Sequence, residues 1–120
     1  MIIGGGGFVG KRLAERCAER GYRSVLCLDV LFGESLSQTN VHQVVCDLAD
    51  PSSASLLERT FHTAHTVFLL ASYGMSGADQ LNTDKIRAVN VDGTRRVVEA
   101  CRTAGVPSLV YCSTYNAVFV

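Results

Sequence analysis

The chain has 120 residues, 48% of them hydrophobic and 18% charged, with 11 basic and 11 acidic side chains for a formal net charge of zero. That length implies one domain with a substantial core, and the balanced charge gives no electrostatic footprint for nucleic acid or an anionic membrane. No apolar run is long enough to span a bilayer and the N-terminus lacks a basic signal-peptide region, so no membrane segment is expected in this chain.

Five cysteines (Cys17, Cys27, Cys46, Cys101, Cys112) are scattered without a C-x-x-C pair and fall mostly in apolar patterns. They suggest reduced core residues of an intracellular, cytoplasmic protein. His42, His62 and His65 lack the spacing of metal ligands, so no metal site is expected.

Met1-Ile2-Ile3 is a very short first strand, against the ~5–6 residues usual for strands, so the start looks clipped. GGGGFVG follows, from Gly4 to Gly10. Strand, glycine turn and helix N-terminus in that order make a pocket for a dinucleotide pyrophosphate. Backbone N–H groups approach the phosphates where a Cβ would obstruct, and the helix dipole favours their charge. Two registers fit: Gly5, Gly7 and Gly10 as G-x-G-x-x-G, or Gly4, Gly7 and Gly10 as G-x-x-G-x-x-G. In both, Gly7 lies nearest the pyrophosphate and Gly10 lets the helix pack on the sheet. Phe8 and Val9 between them count among the cofactor-binding residues. The helix is predicted over Phe8 to Arg20, with Val9, Leu13, Cys17 and Ala18 on one face and Gly21 closing it.

Ser24 to Asp29 is predicted as a buried parallel strand. Asp29 stands roughly 20 residues beyond the glycine turn, where an acidic side chain reaches the adenosine ribose hydroxyls. Its charge would repel a 2′-phosphate and no arginine directly follows, so NAD is favoured over NADP. Leu31 to Asn40 is a connection, Val41 to Cys46 a third strand, and Asp47 a strand-end carboxylate beside the adenine. Asp50 is expected to cap a helix from Pro51 to Phe61, with Leu56, Leu57 and Phe61 inward.

Thr66 to Ala71 is predicted as a strand buried on both faces. Ser72 to Asn82 forms a loop at its carboxyl end, the edge where doubly wound sheets bind ligands; Met75 is assigned to loop packing. A long helix is predicted over Thr83 to Ala104, with Ile86, Val89, Val97, Val98 and Cys101 as its apolar face. Asn90 interrupts that run and invites a specific role. Ser108 to Cys112 is the fifth strand, with Ser113 and Thr114 at its carboxyl end. The whole is an α/β Rossmann-type doubly wound parallel sheet, order 3-2-1-4-5. The apolar tail Ala117 to Val120 has no following helix to cover it, which predicts self-association.

GGGGFVG, Asp29, Asp47-Leu48, VFLLASYGMSG, NVDGT from Asn90 to Thr94, and VYCST together resemble an extended short-chain dehydrogenase/reductase. ASYGMSG, QLN and STYN are similar to the 3β-hydroxysteroid dehydrogenase/isomerase-like group, particularly short-chain dehydrogenase/reductase family 42E. The resemblance spans essentially the whole chain. It implies the G-x-x-G-x-x-G register of Gly4, Gly7 and Gly10, Asp29 as ribose ligand and Asp47-Leu48 as adenine contact. Ala71-Ser72 correspond to small residues beside the phosphates and nicotinamide ribose. Asn90 matches an asparagine supporting active-site geometry, and Thr114, or else Ser113, a hydroxyl polarising the substrate oxygen.

Two features depart from the pattern. Ile3 stands where the group usually has Thr. No tyrosine is followed four residues later by a lysine, the pair that supplies proton transfer. The expectation is an NAD-binding Rossmann domain at 1–120, truncated after the fifth strand and incomplete at both ends, without the substrate-binding region and inactive alone. Its parent would oxidise the CH–OH group of a steroid-like small molecule, with a homodimer and an anchor outside this chain left open. The alternatives are a sugar-nucleotide epimerase or dehydratase on the same scaffold, or a non-catalytic nucleotide-binding module.

Overall fold

The computed structural model describes residues 1–33 and 36–114. Tyr115, Asn116 and the tail Ala117 to Val120, for which self-association was expected, lie outside the described residues. Five strands, β1 (Ile2–Ile3), β2 (Val25–Asp29), β3 (Val41–Val45), β4 (Thr66–Leu69) and β5 (Ser108–Tyr111), form one sheet in the order β3-β2-β1-β4-β5. Every pairing is parallel. β1, although two residues long, pairs on both sides: Ile2 opposite Cys27 and Phe68, Ile3 opposite Leu28 and Leu69. Bonds from its flanks extend the ladder, with Phe68 N–H donating to Met1 O and Gly4 N–H to Leu28 O.

Strand side chains alternate between faces. On one face Ile3, Leu28, Val67 and Leu69 pack against Leu57 and Phe61 of helix α2 (Ser53–Phe61) and Val97, Ala100 and Cys101 of helix α4 (Thr94–Ala104). On the other, Ile2, Val25 and Cys27 meet Ala14 of helix α1 (Phe8–Glu19), with Leu13, Cys17 and Phe68 alongside. The doubly wound layering and strand order agree with the sequence pattern.

Four details differ from the predicted periodicity. The buried line of α1 runs through Gly10 and Ala14, whereas Val9 is 61% exposed. Small residues let the helix axis approach the sheet, and that close line then sets the helix rotation. α2 starts at Ser53, later than Pro51; Asp50 accepts the Ser52 N–H at 2.8 Å and so caps the turn before it. That bond, followed by Ser52's side chain and the Arg96 charge, holds the Asp50 carboxyl below the usual carboxylate range. The segment after Ser72 carries a short 3-10 helix, Gly77–Leu81.

The long helix is also interrupted. Helix α3 (Thr83–Arg87) runs into a π-helical segment, Ala88–Gly93, and only then into α4. The wider i→i+5 turn shifts the faces on either side of it, so one 3.6-residue period cannot span the stretch. Val98 is left 47% exposed while Ala100 is buried. Gly105 closes α4 with a φ of 68°.

Candidate functional site

The carboxyl ends of β1, β2, β3 and β4 open on a cleft of about 510 Å³, within the range of small-molecule sites. Its floor is the glycine turn. Gly4 leaves β1 with a φ of 92°, and a Cβ there would lie 2.7 Å from the Ala71 nitrogen. A Cβ on Gly10 would stand 2.7 Å from Gly5 Cα and closer still to the Gly4 carbonyl oxygen. Gly7 is different: its Cβ would meet only the Gly4 oxygen, at 3.5 Å, an ordinary contact. The two outer glycines of the Gly4/Gly7/Gly10 register are therefore demanded by packing of this chain on itself, and Gly7, which lines the cleft, is not.

Of the intervening glycines, Gly5 belonged to only one of the two sequence registers and Gly6 to neither. A Cβ on Gly5 would come within 2.5 Å of Cys27 Cβ, and one on Gly6 would collide with the Leu31 carbonyl oxygen. Gly6 N–H donates to Asp29 Oδ2 at 2.9 Å, while Asp29 Oδ1 accepts Val30 N–H at 2.7 Å. The strand-end carboxylate is thus oriented by the glycine turn, and each oxygen keeps a further lone pair for another donor. Four consecutive glycines were the visible signal for that close approach.

Gly4, Gly7, Asp29, Asp47, Leu48, Ala71 and Ser72 all line the cleft. Asp47 accepts Ala49 N–H at 2.8 Å, which tightens the turn after β3 and buries Leu48. Phe8, Val9 and Gly10 do not line it; Phe8 is 80% exposed at the start of α1. The first turn of α1 carries no acidic residue, and its N-cap, Gly7, has no side chain to satisfy it. The Phe8 and Val9 N–H groups have no acceptor within the helix.

Asn90 lies outside the cleft wall, behind the β4 loop. It accepts Tyr73 N–H through Oδ1 and donates from Nδ2 to Tyr73 O, both at 2.9 Å. A polar residue inside the helix thus acts as a two-point clamp on backbone beside the cleft. Tyr73 was not singled out from sequence. Its hydroxyl donates to Asp79 Oδ1 at 2.8 Å, which raises the phenol pKa, and its ring lies 4.7 Å from Lys85 Nζ. Among the described residues Lys85 is the one cation in the cleft wall, which also carries the carboxylates Asp29 and Asp47.

Ser113 and Thr114 follow β5 at the same sheet edge, both exposed and outside the cleft wall. Cys112 N–H donates to Leu69 O at 3.0 Å, which continues the β4–β5 ladder and sets Ser113 level with Ala71. Among the described residues no three His, Cys, Asp or Glu side chains gather closely enough to hold a metal. No described helix is long and apolar enough to cross a membrane.

The whole of residues 1–120 matches the model of the 3-beta hydroxysteroid dehydrogenase/isomerase family. Short-chain dehydrogenase/reductase family 42E member 1 of Xenopus laevis is 41% identical over 119 residues, which cover 99% of this chain and 30% of the relative. The epimerase Mth375 of Methanothermobacter thermautotrophicus superposes with a TM-score of 0.80 at 30% identity, over 99% of this chain and 36% of that one. WbmG of Bordetella bronchiseptica, solved in complex with NAD and UDP, gives a TM-score of 0.76 at 26% identity over 92% and 35% of the two chains. This chain therefore spans about a third of the length of these three proteins, and over its entire length it belongs to the 3-beta hydroxysteroid dehydrogenase/isomerase family.

Proposed function

We propose that these residues form the dinucleotide-binding part of an NAD-dependent oxidoreductase that acts on the CH–OH group of a hydroxysteroid-like alcohol. The observation that carries the reading is the cleft itself. It joins the unshielded N-terminus of α1 to the oriented Asp29 carboxylate at one sheet edge. The residues fit the cofactor. Gly7 leaves room at the helix N-terminus for a pyrophosphate, and the spare lone pairs of Asp29 suit ribose hydroxyls while its charge disfavours a 2′-phosphate. WbmG, whose fold is similar, was solved with NAD.

Bound there, the nicotinamide would supply hydride transfer to or from the carbinol carbon. The residues of this chain bind and orient. Asn90 holds the Tyr73 backbone, so that Ala71 and Ser72 keep their place beside the cleft. Thr114, or Ser113, stands at the strand end where a hydroxyl could hold the substrate oxygen. A Tyr-x-x-x-Lys pair, which would move the alcohol proton, does not occur in these 120 residues. A second reading, epimerase or dehydratase chemistry on a sugar nucleotide, is favoured by the likeness to Mth375.

Calorimetric titration with NAD and NADP tests the cofactor assignment. NAD should bind about tenfold more tightly or better, and Asp29→Asn should narrow the gap. Tighter NADP binding overturns it. A longer protein carrying these residues followed by Tyr-x-x-x-Lys separates the two chemistries. NADH formation with a 3β-hydroxysteroid supports the first, and turnover of a UDP-sugar alone supports the second.

A further inference from the structure

The two turns that wall the cleft, after β3 and after β4, are both tied to one stretch of helix. Asn90 clamps Tyr73 on the β4 side. On the β3 side, Arg96 Nη1 donates a hydrogen bond to the Leu48 carbonyl oxygen, across 48 positions of sequence. Gly93 lets the backbones approach there, since a Cβ on it would sit 2.9 Å from Leu48 Cβ and 3.2 Å from Leu48 O. The same guanidinium contributes to the low pKa of Asp50, two residues on. Its neighbour Arg95 turns the other way, to Asp92 at 3.4 Å, with a side chain 75% exposed.

Leu48 and Asp47 line the cleft next to Asp29, whose carbonyl accepts Cys46 N–H at 2.9 Å. If the acidic strand end marks the ribose, this turn stands at the adenosine end. We infer that Arg96 is a positioning residue for the adenosine end of the cleft: its bond to the Leu48 carbonyl holds the Asp47-Leu48 turn where the base must rest. Arg96 does not itself line the cleft. The inference rests on the dinucleotide reading above.

The test divides the dinucleotide into halves. AMP, nicotinamide mononucleotide and NAD are titrated into the chain and into Arg96→Met, Arg96→Lys and Arg95→Met, with amide hydrogen exchange followed in each. Arg96→Met should weaken AMP and NAD by about tenfold, the order of one charge-assisted hydrogen bond. It should leave nicotinamide mononucleotide unchanged. Exchange should quicken over residues 47–53 while Tyr73 N–H stays protected. Arg96→Lys, which keeps one donor, should recover part of the loss, and Arg95→Met should bind like the parent.

Unchanged AMP binding in Arg96→Met overturns the inference alone, as does equal weakening of both halves. If Arg96→Met does not fold, the same split in Arg96→Lys decides. A parent chain that binds neither NAD nor AMP sinks the cofactor reading and this inference with it.

Discussion

Two supports hold the cleft, and they work by opposite means. The glycine turn is held by what its residues lack: Gly4, Gly5, Gly6 and Gly10 each press against backbone or a neighbouring Cβ at distances no side chain could share. The loop after β4 is held by what its partner supplies, the two hydrogen bonds from the Asn90 amide. The first support tolerates no added atom, because close-packed neighbours have nowhere to go. The second can be loosened one bond at a time. One cleft therefore has a rigid phosphate end and an adjustable end facing Tyr73 and Lys85.

The comparison breaks most visibly at Gly10. Gly10→Ala should destabilise the chain by about 3 kcal/mol, the upper range of overpacking effects. Gly7→Ala should cost under about 1 kcal/mol, since its Cβ meets an ordinary contact and its φ of −74° suits any residue. Urea unfolding of the pair checks this, and equal losses would mean that the turn is not packed as described.

At the other end, Asn90→Ala removes both bonds to Tyr73 and should cost about 2 kcal/mol. Asn90→Asp keeps the acceptor for Tyr73 N–H but sets a carboxylate oxygen against the Tyr73 carbonyl, so it should not rescue. Hydrogen exchange at Tyr73 N–H reads the clamp directly, and protection that survives Asn90→Ala would break the comparison.

A finer probe lies directly behind the turn. The Cys27 thiol faces Gly5, is fully buried, and is pushed up to about 11, chiefly by burial. The protonated form is the one the fold favours. Stability is therefore intact below the unfolded thiol pKa of about 8.5 and falls as pH rises toward 11, by roughly 1–2 kcal/mol at pH 10. Cys27→Ala should lessen that fall, with the Cys46 and Cys101 thiols, which burial also pushes up, contributing the remainder. Unfolding midpoints at pH 8 and pH 10 measure the difference. The smallest effect is expected at Lys85. Lys85→Met, which removes the cation over the Tyr73 ring, should change stability by about 0.5–1 kcal/mol.

By itself the sequence determined the alternation of strands and helices, the sheet order, the glycine turn and the strand-end Asp29. Each of these rests on local pattern: apolar runs, punctuating glycines and spacing along one chain. Only the tertiary structure decided how the pieces brace each other. The Asn90 clamp, the Arg96 bond to Leu48 and the turn-facing orientation of Asp29 all join residues far apart in sequence. Helix rotation was likewise decided by packing, because Val9 and Val98 fit an apolar stripe that closer contacts turned outward. Periodicity reports which residues could be buried; contact between distant segments selects which ones are.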